Sequence, residues 1–138
     1  MPATESNLQG LRMRKLPVVR RGSGTISSVH VQDAVSAVVV ALERGRSGEV
    51  YNIVDDEPAS YRDFLLYAAD VIGSPRPRSL PLWLLRLTAP YAAAFLSTRL
   101  NVSNEKAKSE LGWSLRFPSY KEGLKDLSAN VEREKKAA

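Results

Sequence analysis

The sequence predicts one α/β domain, rich in helix with a few short strands. Three observations predict it. Short runs with the two-residue period of a strand alternate with longer runs at helical spacing. The turns between them carry Gly, Pro and Ser. The length of 138 residues suits one ordinary hydrophobic core, and no segment repeats internally.

Leu16 to Val19 read as a short extended run that ends in a glycine turn at Gly22 and Gly24. Next, Val29 and Val31 alternate with Ser28, His30 and Gln32, which predicts a strand with one buried face. Asp33 precedes AVSAVVVALERG and takes the place of a helix N-cap, its carboxylate accepting the free N–H groups of the first turn. On this helix Ala34, Ala37 and Ala41 share one side, while Val35, Val38, Val39 and Leu42 cover most of the rest. That distribution predicts packing on more than one side. RGRSG is a turn, and EVYNIVDDEP is a second strand with Val50, Tyr51, Ile53 and Val54 as its apolar content.

Ser60 caps the following helix with Asp63 at the third position, and Tyr61, Phe64, Leu65, Ala68 and Ile72 fall on one face as far as Gly73. SPRPRSLP is an extended linker or a short edge strand, and Pro81 suits the first turn of LWLLRLTAPYAAAFLSTRL. Arg86 and Pro90 interrupt this most apolar segment, which argues against a transmembrane span of about twenty apolar residues. A buried or partner-facing helix is expected, with interfacial membrane contact as the alternative. A short helix from Ser103 closes at Gly112, and another starts at Ser119 with Glu122 completing a capping box. The polar tail after Leu127 is expected to fray. The chain thus divides into a basic arm over residues 1–15, a domain over 16–127 and a tail over 128–138.

Composition narrows the chemistry. Zero cysteines exclude a disulfide framework, a thiolate metal site and a cysteine nucleophile, and with His30 as the single histidine no metal ligands are expected. The net charge of +5 is local: up to Gly24 five basic residues face one acid, Glu5, and the remainder carries only +1. No aromatic interleaves with those arginines, so nucleic acid is not expected as a partner. MPATESNLQG has no basic stretch followed by an apolar one, so no secretory signal is read and a cytoplasmic setting is expected.

SSVHVQDAVSAVVVAL, GEVYNIVDDEPASYRDF, KAKSELGW and PSYKEGL, in this order and at these spacings, resemble the C-terminal part of the NAD-dependent epimerase/dehydratase family within the extended short-chain dehydrogenase/reductases. The resemblance covers roughly residues 16–127. It implies a substrate lobe that lacks most of the Rossmann sheet and works beside a nucleotide-binding lobe. It also implies NAD or NADP as the cofactor of the complete enzyme.

The family's two signatures can be sought directly. A dinucleotide loop needs a glycine-rich turn that leaves a strand and opens a helix, and GSGTIS, the one candidate, precedes the predicted strand at Val29 instead. The catalytic pair is a tyrosine with a lysine four residues on. Tyr51, Tyr61, Tyr67, Tyr91 and Tyr120 are followed at that distance by Asp55, Leu65, Val71, Phe95 and Leu124. No catalytic and no cofactor-binding residue is therefore assigned, and no cofactor is expected on this chain alone. The family does not use the histidine of VHVQDAV as an acid or base, so His30 is read as structural.

For substrate contact, the resemblance points to the loop carrying Arg20 and Arg21, to Trp83, Leu87 and Tyr91 on the long apolar segment, and to Arg99. Sugar-nucleotide members grip a diphosphate through an arginine near the position of Thr25 and Ile26 and through a segment matching STRLNVSNEKA, where Arg99 is the candidate. That grip is depleted here, and the apolar segment is similar to branches that take less polar alcohols and ketones. Two readings follow. One is the substrate-binding part of an NAD(P)-dependent epimerase/dehydratase or reductase, not competent alone, paired with a nucleotide-binding lobe or with itself. The alternative is a standalone non-catalytic binding or interaction module that keeps the lobe's fold.

Overall fold

The fold is taken from a computed structural model, which describes residues 10–11, 13, 16–21 and 23–137. In chain order its elements are β1 (Val18–Val19), β2 (Thr25–Ile26), α1 (Val31–Arg44), β3 (Ala59–Ser60), α2 (Tyr61–Val71), β4 (Ser79–Leu80), α3 (Leu82–Thr88), α4 (Pro90–Ser97), α5 (Glu105–Leu111) and α6 (Tyr120–Ala137). β1 pairs in parallel with β4, Val18 against Ser79 and Val19 against Leu80, so SPRPRSLP does supply a short strand. β2 pairs antiparallel with β3, Thr25 against Ser60 and Ile26 against Ala59.

Three small clusters make the core. Val18 joins Leu11, Leu65 and Ala68, while Val19 joins Leu85, Ala93 and Leu96. The third cluster holds Ala37 of α1, Ala107 and Leu111 of α5, and Trp113, whose Nε1 donates to the Ser36 hydroxyl at 3.0 Å.

The locally encoded stops behave as the sequence predicts. Ser60 Oγ accepts from the Asp63 amide at 3.0 Å and starts α2. Gly112 closes α5 at φ 66°, the left-handed conformation that glycine adopts without a Cβ penalty. Pro90 cannot donate an amide to the preceding turn, so the long apolar segment divides into α3 and α4.

Four expectations fail, each for a physical reason. Val29 and Val31 form no strand: Val31 is already helical, and His30 is the cap, its Nδ1 accepting from the Gln32 amide at 3.3 Å. Asp33 is therefore not the cap. Its buried carboxylate accepts instead from the amides of Arg116 at 2.8 Å and Phe117 at 2.9 Å, which have no strand or helix ladder of their own. Val50 to Val54 form no ladder either, since neither two-stranded sheet includes them, and a strand needs a neighbour to exchange hydrogen bonds with. The Asp55 amide alone reaches the Ser28 carbonyl at 2.7 Å. Finally, the tail is helical to Ala137, because its Ala, Glu, Lys and Arg residues are good helix formers that extend α6.

Among the described residues, helix α1 packs on one side only. Ala37 faces α5, whereas Val31, Val35, Val38, Val39 and Leu42 are exposed.

Removing the buried Asp33 carboxylate would leave two part-buried amides without their acceptor. Asp33→Ala should cost about 3 kcal/mol of unfolding free energy, more than loss of an exposed cap would. Urea denaturation checks this, and a loss below about 1 kcal/mol would return Asp33 to an ordinary capping role.

Candidate functional site

The residues assigned to substrate contact lie on one composite element, the α3–α4 pair and the turn that clasps it. The clasp starts where β1 ends: the Arg20 amide donates to the Leu80 carbonyl at 3.0 Å, just before α3 begins. At the far end of the pair, the Gly24 amide donates to the Leu96 carbonyl at 2.6 Å, and the Leu100 amide to the Thr25 carbonyl at 3.2 Å. Arg62 of α2 fixes the turn from below. Its Nη1 donates to the Arg20 carbonyl at 2.7 Å and its amide to Ser23 Oγ at 3.1 Å.

The underside of the pair is filled by Leu85, Ala93 and Leu96 against Val19. Side chains two positions before or after Leu85 stand about 160° around a helix from it, so Trp83 and Leu87 point outward. Tyr91 and Phe95 do the same on α4. Their exposures bear this out: 67% for Trp83, 77% for Leu87, 87% for Tyr91 and 60% for Phe95. Arg20, Arg21 and Arg99 are exposed as well. Arg20 and Arg21 thus lie on the clasp, Trp83 and Leu87 on α3, Tyr91 on α4 and Arg99 two residues past its end. Phe95 is a fourth outward apolar group, and Arg62 is the brace, invisible in sequence because its partners lie about forty residues away.

The same geometry tests the cofactor. Gly24 sits against the carbonyl of Thr98, where a Cβ would come within 2.0 Å of the oxygen. Its amide is spent on Leu96, and the chain runs from it into β2 instead of into a helix. This turn does not fit a dinucleotide phosphate, which needs free amides at a helix N-terminus. Tyr61 and Tyr120 do not fit the family's proton donor either. Burial pushes the Tyr61 phenol up, and burial likewise raises that of Tyr120, against the opposing effect of Lys121. A phenol that exchanges protons near neutrality must be pushed down. No group of three or more Asp, Glu or His among the described residues is placed to hold a metal ion.

His30 lies at the opposite end of the molecule's logic. Besides capping α1, its ring stacks on Phe117 at 4.1 Å between centroids, and Nε2 stands 3.6 Å from Asp126 Oδ2 on α6. One carboxylate has no local sequence signal: Asp55 is buried, one oxygen accepting from Ser28 Oγ, 27 positions away, at 2.6 Å and the other without a partner among the described residues. Burial raises its carboxyl above the ordinary value near 3.8, the Ser28 hydrogen bond opposes this, and Asp56 and Glu57 add to the rise.

No family model matches the chain. It is 39% identical over 111 residues to a 3-diazoavenalumate denitrifying reductase from a Streptomyces species, a match covering 80% of this chain and 36% of that protein. Among solved structures, a functionally unknown conserved protein from Silicibacter pomeroyi superposes with a TM-score of 0.74 at 31% identity, over 85% of this chain and 42% of its own. A human epimerase family protein solved with NADPH gives a TM-score of 0.75 at 20% identity, over 93% of this chain and 43% of its own. The chain therefore spans well under half the length of the proteins it matches. Helix-rich with a few short strands, it has the fold of part of such an enzyme.

The sign of the Asp55 effect is testable. A carboxyl raised in the folded state binds its proton more tightly there than in the unfolded chain, so its contribution to stability is lost as pH rises above the ordinary carboxylate range. Asp55→Asn should therefore be at least as stable as the wild type at pH 7, and its advantage should shrink on acidification towards pH 3.8. Thermal melts of both proteins across that range decide it; an advantage that grows at low pH would contradict the burial argument.

Proposed function

We propose that this chain, which resembles the C-terminal part of the NAD-dependent epimerase/dehydratase family in sequence and fold, forms the substrate-facing part of an NAD(P)-dependent epimerase, dehydratase or reductase. The observation that carries the reading is the outward set Trp83, Leu87 and Tyr91. Those side chains are not needed to fill the chain's own core, which Leu85, Ala93 and Leu96 already close beneath them. Large exposed apolar groups flanked by Arg20, Arg21 and Arg99 suit a substrate of low polarity, an alcohol or ketone in preference to a nucleotide sugar.

In this reading the cofactor is held by a nucleotide-binding lobe, and the reaction needs both parts. The uncharged exposed face of α1, from Val31 to Leu42, is the surface that lobe covers, and Val50 to Val54 is the run that gains strand neighbours from it. These 138 residues contain neither a glycine fingerprint nor a Tyr-x-x-x-Lys pair, so the chain alone is not competent. A cytoplasmic setting belongs to the same reading; zero cysteines support it, and no helix among the described residues is long and apolar enough to cross a membrane.

Two outcomes follow. The isolated chain should show no saturable binding of NADH or NADPH at micromolar concentration by fluorescence titration, and saturable binding would overturn the division of labour. In an active assembly with a nucleotide-binding lobe, Trp83→Ala should raise KM for the substrate at least tenfold while leaving cofactor affinity within about twofold. Sedimentation tests the α1 face: the wild-type chain should self-associate or capture its partner, and Val38→Asp should keep the fold and suppress both. A concentration-independent monomer with a cooperative melt would instead favour the standalone binding module.

A further inference from the structure

The two exposed apolar faces differ in charge. Residues 16–30 and 72–104, which hold β1, the clasp, β4, α3, α4 and the segment after it, contain six arginines and no acid. Their net charge of +6 exceeds the +5 of the whole chain, so everything else together is −1. Among the described residues only Arg76 of these six has a carboxylate partner, Asp70 at 3.4 Å. Arg20, Arg21, Arg78, Arg86 and Arg99 are exposed. On α1, by contrast, the exposed residues from Val31 to Leu42 include no cation.

We infer that the outer side of the α3–α4 pair lies on an anionic lipid surface, with Trp83, Leu87, Tyr91 and Phe95 entering the headgroup region and the arginines meeting lipid phosphates and carboxylates. Tryptophan and tyrosine are the side chains that settle at a membrane interface, and basic groups around an apolar face supply the electrostatic part of such binding. Two short helices lying side by side can present these residues without crossing the bilayer, the interfacial alternative that the interrupted sequence left open. The charge also discriminates between occupants. A second copy docked through this face would bring five unpaired arginines against five, which like-charge repulsion opposes, whereas a lipid surface is complementary.

The inference goes beyond the substrate reading and does not need it. If both hold, a sparingly soluble ketone dissolved in the bilayer reaches Trp83 and Tyr91 without passing through water.

The experiment uses the chain itself, without substrate or cofactor, and vesicles of phosphatidylcholine alone or with about 30% phosphatidylserine. Of the two tryptophans, Trp113 is only 3% exposed, so a change of emission reports on Trp83. The expected result is co-sedimentation with the anionic vesicles, a blue shift of emission, and at least tenfold weaker binding in about 0.5 M salt. Trp83→Phe should still bind but lose the shift. Arg86→Glu combined with Arg99→Glu should weaken binding at least tenfold, and Leu87→Asp should do the same; circular dichroism shows that each variant folds. No sedimentation with anionic vesicles would overturn the proposal, as would equal binding to neutral vesicles without salt dependence. A dimer that Leu87→Asp dissociates would assign the face to a second copy instead. None of these results bears on the KM test with Trp83→Ala, so the two ideas can fail separately.

Discussion

The molecule is organised by the two-residue period of a two-residue strand. Val18 and Val19 leave β1 in opposite directions, both essentially buried, and each anchors a different cluster. Val18 holds α2 and Leu11, while Val19 holds the underside of α3 and α4. A buried valine contributes about 2 kcal/mol through apolar burial, but position matters more than amount here. Moving the register of β1 by one residue would exchange the two sides and offer the α3–α4 pair the wrong partner. It would also displace Arg20 from Leu80, and with it the clasp.

With so little sheet, the joins between elements fall to side chains that meet backbone. Asp33 accepts two amides from the 116–117 segment, Asn104 Nδ2 donates to the Val54 carbonyl and to Asp56, Arg44 donates to the Leu111 carbonyl, and Arg62 braces Arg20. Each connects positions far apart in the chain. This explains which parts of the fold were legible. The Ser60 cap, the Gly112 stop and the break at Pro90 depend on neighbours within four residues, and a pattern of neighbours is what a sequence displays. The role of Asp33 depends on residues 83 and 84 positions away, so the local signal, a helix-opening aspartate, named the wrong acceptor group. The run Val50 to Val54 shows the converse: its composition is that of a strand, yet a strand is a relation between two segments, and a lone segment cannot satisfy it.

The site was legible to a similar depth. The apolar composition of the segment marked Trp83, Leu87 and Tyr91, but it could not tell the outer from the inner side of the pair. Only the filling of the inner side by Leu85, Ala93 and Leu96 against Val19 decides that. Nothing in the local pattern marks Asp55, because its Ser28 contact is made across the chain. His30 is the cap of α1 and not a strand residue. Phe117 lies against its ring and Gly123 comes so close that a Cβ there would stand 3.3 Å from Cδ2. A ring used at Nδ1 as an acceptor and enclosed in this way holds α1 against α6.

The glycine turn shows how a resemblance to a phosphate loop is decided. Two chains can share Gly-x-Gly and use it for different purposes, because glycine offers both a free amide and the absence of a Cβ. A phosphate loop uses the first property together with the aligned amides of a helix N-terminus. Here the second property is used: Gly24 lets two backbones approach at Thr98 more closely than any side chain would allow, and its amide is consumed at Leu96 in doing so. That close approach brings the clasp onto α4. The contact that occupies the Gly24 amide is therefore the one that fastens the clasp to the end of α4.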